Sequence, residues 1–139
     1  MVQLIVGVKG KGKTKVLLDK VNSQIQAVDG NIVYLDKSAK HMYELNNKVR
    51  LVDVSEYMIE SANEFLGFVS GIVSQDHDLQ QMYFDSFLKI ANVKDEDVEA
   101  TIQKLEKISE VQGVDFIISI SIAQDDIPES IKKNIIIAL

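Results

Sequence analysis

Two hydrophobic periods alternate along the chain. Short apolar runs at Val2 to Val6, Asn31 to Leu35, Leu79 to Phe84 and Val114 to Ile122 suit buried parallel strands, which read as near-continuous apolar segments. Between them lie stretches with helical spacing. Val16, Leu17, Val21 and Ile25 share one face of a helix expected over Lys15 to Ala27. Ile59, Ala62, Phe65, Leu66, Val69, Ile72 and Val73 share a broader one, with Ser55 as its candidate cap and Glu56 in its first turn. Val98, Ile102, Leu105 and Ile108 share a third, with Asp95 as candidate cap and Gly113 as stop.

Smaller elements fill the gaps. Ala39 to Leu45 reads as a short helix, and Lys48 to Val54 alternates charged and apolar residues as an edge strand does. Pro128 suits the first turn of a short helix over Glu129 to Lys133. Asn134 to Leu139 fits either a last edge strand or a continuing helix. The strand–helix alternation predicts an α/β fold: three α/β/α layers around a mainly parallel sheet of five or six strands, in one domain over residues 1–139.

Composition narrows the chemistry. The 139 residues are 46% hydrophobic and 26% charged, as in an ordinary globule with a real core. There is no cysteine, which excludes disulfides, thiolate metal sites and a cysteine nucleophile, and which fits a reducing cytoplasm. No signal-peptide pattern is present, and no apolar run nears the roughly 20 residues a membrane span requires. A net charge of −6 argues against a general nucleic-acid binder. The basic residues gather instead at Lys9, Lys11, Lys13, Lys15 and Lys20; a solvated helix face accounts for the last two.

The lysines surround Gly7-Val8-Lys9-Gly10-Lys11-Gly12-Lys13-Thr14, a full match to G-x-x-x-x-G-K-[ST], the Walker A pattern, between an apolar strand and a helix. The four fixed positions should match by chance in roughly one chain of this length in two hundred, before the flanks are considered. The glycines allow the backbone to turn sharply, and the loop N–H groups and helix terminus form an anion nest. Loop residues Gly7 to Thr14, with Lys15 next, are therefore the candidate nucleotide contacts. Lys13 would reach the β- and γ-phosphates, and Thr14 would ligate Mg²⁺. A carboxylate at the end of an apolar strand beside the first would complete the metal site. Asp85 and Asp36 both qualify, and the glycine loop favours Asp85. His41 and His77 lie in expected surface segments without partner spacing, and Tyr34 and Tyr83 fall in buried-strand patterns, so all four read as structural.

In the order of these motifs the chain resembles the RecA-like branch of phosphate-loop ATPases, including KaiC-like and PilT-like proteins. Asn31 to Asp36 is similar to that branch's second-strand segment, Met82-Tyr83-Phe84-Asp85-Ser86 to its Walker B strand, and Val114 to Ser121 to the following strand. The resemblance implies Lys13, Asp85 and Asp36 as catalytic positions, Thr14 and Asp85 at the metal, and Ser119, Ser121 or Gln124 as a γ-phosphate sensor. It also marks departures. The branch's activating glutamate after the second strand is missing from Asp36-Lys37-Ser38; Asp36 either substitutes for it or is structural. RecA's nucleic-acid-binding loops and PilT's histidine and aspartate boxes are absent. Val8 stands where ParA/MinD-type loops carry their signature lysine. Arg50 is the only arginine, which argues against a self-sufficient kinase and against an internal arginine finger.

The expected function is binding of ATP or GTP with Mg²⁺, with slow hydrolysis or hydrolysis dependent on a protein partner or self-association. The alternatives are a small nucleotide or metabolite kinase and a regulatory module controlled by its nucleotide state.

Overall fold

The apolar runs assemble into a six-stranded sheet in a computed structural model that describes residues 1–139. The strands are β1 (Val2–Val6), β2 (Asn31–Asp36), β3 (Val49–Asp53), β4 (Leu79–Phe84), β5 (Asp115–Ile120) and β6 (Ile135–Ala138). Their order is β3-β2-β4-β5-β1-β6, and every neighbouring pair is parallel. The apolar runs of β1, β2, β4 and β5 occupy the interior of the sheet, while the short apolar β6 lies at an edge. The alternating segment forms edge strand β3, as its pattern predicts. The ambiguous last segment resolves as the opposite edge, β6, whose main chain joins β1 through Leu139 N–H donating to the Val6 carbonyl at 2.9 Å.

Side chains on successive strand residues point to opposite faces, so each strand feeds two cores. Leu4, Val6, Leu35, Phe84, Phe116 and Ile118 lie under helices α2 (Ala62–Ser74) and α4 (Val98–Gln112). Phe65 of α2 meets Phe84 edge-on, with ring centroids 5.4 Å apart, an arrangement worth about 0.5–1.5 kcal/mol beyond its buried area. Ile5, Tyr34, Tyr83 and Ile117 face the other way, against Leu17, Leu18 and Val21 of helix α1 (Lys13–Ser23). The chain is thus an α/β protein with a six-stranded parallel sheet and helices on both faces. No helix is long and apolar enough to cross a membrane.

Several boundaries differ from the sequence expectation, each for a local reason. The second long helix is capped by Ser61, not Ser55. Ser61 Oγ accepts the Glu64 N–H at 3.2 Å, and the Glu64 carboxylate accepts the Glu60 N–H at 2.7 Å. Ser-x-x-Glu, at 61–64, is the fuller capping signature. Ser55 is instead held by Asp53, whose carboxylate accepts both its N–H and its hydroxyl. Ala39 to Leu45 supplies only one 3-10 turn, Met42–Glu44. Asp95 likewise opens a 3-10 turn, and α4 begins at Val98. A four-residue helix, α3 (Phe87–Ile90), follows β4, in a segment the sequence pattern leaves unassigned.

Gly30 and Gly67 make opposite demands. A Cβ at Gly30 would lie 2.1 Å from the Asp78 carbonyl oxygen, where the chain enters β2, while a Cβ at exposed Gly67 in α2 meets nothing within 4 Å. Gly30→Ala is expected to destabilise by about 1–3 kcal/mol through overpacking. Gly67→Ala is expected to stabilise by roughly 0.5–1 kcal/mol through helix propensity. Urea unfolding of the two variants beside the parent checks both signs.

Candidate functional site

The loop between β1 and α1 is built by its glycines. Gly10 and Gly12 hold φ values of 89° and 91°, which a side chain would resist. Gly7 packs against Leu139, where a Cβ would approach the Leu139 carbonyl oxygen to 3.0 Å. Its N–H is engaged, donating to the Ile122 carbonyl at 2.9 Å, so Gly7 shapes the turn without offering a free donor. The N–H groups of Val8 through Gly12, by contrast, donate to no backbone carbonyl. They are followed by the first turn of α1, whose leading N–H groups have no intrahelical acceptor. The Lys13 side chain folds back over the loop, its ammonium donating to the Val8 carbonyl at 3.1 Å. Burial lowers the Lys13 pKa, and the nearby Asp85 charge opposes that shift.

The other wall comes from sheet register. Phe84 pairs with Ile118 and Leu35 with Phe84. The next residues are therefore Ser119, Asp85 and Asp36, side by side at the C-terminal ends of β5, β4 and β2. Period-two alternation turns all three toward the α1 face. The Asp85 carboxylate accepts hydroxyl hydrogen bonds from three elements: Thr14 of α1 at 3.1 Å, Ser119 of β5 at 3.0 Å and Tyr34 of β2 at 2.9 Å. The Ser119 hydroxyl also accepts the Ser86 N–H at 3.1 Å. The chain leaves β4 through Ser86 in the left-handed region, with φ 58°. One expectation is corrected here. The Asp85 strand does not lie beside β1; β5 stands between them, and Thr14 reaches Asp85 because α1 crosses over β5.

Asp36 is 1% exposed and differs in its partners. One carboxylate oxygen accepts the Lys37 N–H at 2.7 Å, while the other has no partner. Burial raises its pKa most, and Asp85 adds to the shift. The Lys37 N–H and the charges of His41 and Lys37 oppose it.

A cleft of about 340 Å³ lies between loop and strand ends, lined by Lys9, Gly10, Gly12, Lys13, Thr14, Lys37, Asp85, Ser86, Leu88, Lys89, Ser119 and Ser121. It gathers most of the site residues expected from sequence. Lys11 lies outside this lining, and Lys15 points to solvent beside Asp19, at 3.4 Å. Gln124 sits in a 3-10 turn away from the cleft. Arg50 pairs in register with Val33, on the face opposite α1. Four residues escaped the sequence reading as site residues. Tyr34 is a core residue whose hydroxyl also orients Asp85, and its partner Tyr83 stacks on it at 6.2 Å with its own hydroxyl given to Gln81. Lys37, just after β2, and Lys89, in α3, bring two further cations to the cleft. His41 is largely buried, not solvated, with only 17% of its side chain exposed, and stands beside Asp36 and Asp85. The signal for Tyr34 was its position two residues before Asp36; nothing local distinguishes His41.

Comparison with protein-family models and with curated proteins yields no match to this chain.

The raised Asp36 pKa makes a signed prediction. The folded protein holds this proton more tightly than the unfolded chain. Stability should therefore fall as pH rises from the ordinary value of 3.8 through the raised folded value, with the full cost present above it. Asp36→Asn removes the titration. Its midpoint in thermal unfolding should gain on the parent's as pH rises across that window, and a difference independent of pH would contradict the assignment.

Proposed function

We propose that the chain binds a nucleoside triphosphate, ATP or GTP, with Mg²⁺ in this cleft, and hydrolyses it slowly unless a protein partner or second copy assists. The observation that carries this reading is the row of N–H groups from Val8 to Gly12, free of backbone acceptors and set at a helix N-terminus beside Lys13. Such a nest suits a polyphosphate, and its glycines permit close approach. Thr14 and Asp85, 3.1 Å apart, present a hydroxyl and a carboxylate, the hard oxygen donors Mg²⁺ prefers. Bound there, the ion supplies charge neutralisation at the β- and γ-oxygens. Lys13 shifts from the Val8 carbonyl to phosphate, and Ser119 holds Asp85 in position. Asp36 does not line the cleft and its unpartnered oxygen is buried, so it acts on the neighbouring Asp85 and not on the attacking water. The resemblance to the RecA-like branch supports the roles of Lys13, Thr14 and Asp85.

Nucleotide binding is tested by thermal shift. ATP or GTP with Mg²⁺, at about a hundred times its dissociation constant, should add about 2.7 kcal/mol and raise the melting temperature by several degrees. Lys13→Ala removes a charged hydrogen bond worth about 1.5–3 kcal/mol, so affinity should fall about 10- to 100-fold with the fold intact. Asp85→Asn should reduce the Mg²⁺-dependent part of the shift more than Asp36→Asn does. Equal shifts in the parent and Lys13→Ala would refute the reading.

Turnover follows from the charges present. Lys9, Lys13, Lys37 and Lys89 are the cations of the cleft, and no arginine lines it. A supplied arginine finger is worth about 10³ to 10⁵ in rate. Phosphate release by the isolated chain should thus fall below the roughly 1 per second at the slow end for ordinary enzymes. Several turnovers per second, independent of protein concentration and abolished by Lys13→Ala, would instead reveal a complete catalytic set.

A further inference from the structure

Asp36 leaves an electrostatic problem that nucleotide binding does not address. Asp36 and Asp85 are adjacent carboxylates, 1% and 2% exposed, and neither has a lysine or arginine nitrogen within 4.0 Å. Buried carboxylates normally need a cationic partner. Hydroxyls solvate Asp85, but one Asp36 oxygen has no hydrogen-bond partner. His41 Nδ1 is likewise buried and unbonded; Glu44 lies 3.4 Å away without a hydrogen bond. One donor atom from each of Asp36, His41 and Asp85 falls within 4.8 Å of the others.

We propose that Asp36, His41 and Asp85 form a binding site for a first-row transition dication of the Zn²⁺ or Co²⁺ class. The site goes beyond the nucleotide reading and requires no nucleotide. Donors bound at about 2.0–2.2 Å to one ion lie at most about 4.4 Å apart, so a 4.8 Å spread closes by small side-chain rotations. Lone pairs suffice. The unpartnered Asp36 oxygen is free, and Asp85 Oδ2, after accepting from Tyr34, keeps one lone pair. Oδ1 remains directed at Thr14 and Ser119. The imidazole sets selectivity. Mg²⁺ favours oxygen ligands and keeps its waters, while one nitrogen with two carboxylates suits Zn²⁺, Co²⁺ or Mn²⁺ and leaves positions open to solvent or substrate. Access is present on both sides: Asp85 lines the glycine-loop cleft, His41 lines a second cleft of about 420 Å³ flanking α1, and Thr14 lines both. The two cation positions would share the Asp85 carboxylate.

The test titrates the chelator-treated full chain, free of nucleotide, with Co²⁺ by visible absorption and with Zn²⁺ by calorimetry. One ion per chain is expected, with ligand-field bands from Co²⁺ and no displacement by excess Mg²⁺. His41→Gln and Asp36→Asn should each weaken binding at least about 10-fold. Unfolding curves in the absence of metal establish that the variants fold. His41→Gln should keep the Mg²⁺·ATP thermal shift, so loss of Co²⁺ binding alone separates this site from the nucleotide site. If the parent shows no Co²⁺ bands at millimolar metal, or if both variants bind like the parent, the proposal is overturned. If Co²⁺ binds as expected while ATP produces no shift, the cation site stands and the nucleotide reading falls.

Discussion

The site depends on one buried carboxylate held by hydroxyls from three separate elements. Thr14, Ser119 and Tyr34 converge on Asp85 from α1, β5 and β2. Each bond crosses a different packing interface, so the carboxylate fixes the helix N-terminus relative to the sheet. The glycine loop is suspended between those two bodies and owes its shape to that attachment. Hydrogen bonds to an ionised acceptor are the stronger kind, and here they replace the lysine or arginine that a buried acid normally requires.

Parallel register makes this convergence possible. Matched strand ends bring Ser119, Asp85 and Asp36 into a row, and the next register position is Asp53 on β3. Asp53 is not part of the site, because its carboxylate is committed to the Ser55 turn. The row therefore has a part that opens on the cleft and an end committed to a local turn. On the opposite face the aromatic cluster around Phe65, Phe84 and Phe87 packs tightly. The thinner α1 face carries the polar chemistry.

Much of this was legible in the residues. The glycine loop, the strand-end acids and the alternation of elements are local patterns, and local patterns survive folding. The strand order did not follow from them. Nothing in Val114 to Ile122 states that this strand inserts between β1 and β4, because apolar runs specify burial and not neighbours. The Ser61–Glu64 cap was readable and was outcompeted by the similar Ser55-Glu56 signal. Tyr34 shows a deeper limit. An aromatic residue in a strand pattern reads as core, and it is core, yet its hydroxyl reaches a carboxylate 51 positions away. His41 is placed by the packing of a 3-10 segment whose conformation carries no periodic signal.

The insertion of β5 also has a temporal meaning. β1 pairs with β5 and β6 alone, so Val2 finds its neighbour only at Phe116. The glycine loop is synthesised before β5 and β6 and cannot be assembled until they exist. Contacts of such separation carry a large loop-closure cost and slow folding. The β2–β3–β4 portion, joined by shorter connections, can form without β1. The cleft lies on the seam between the early-pairing and late-pairing parts of the sheet, so its completion coincides with completion of the fold.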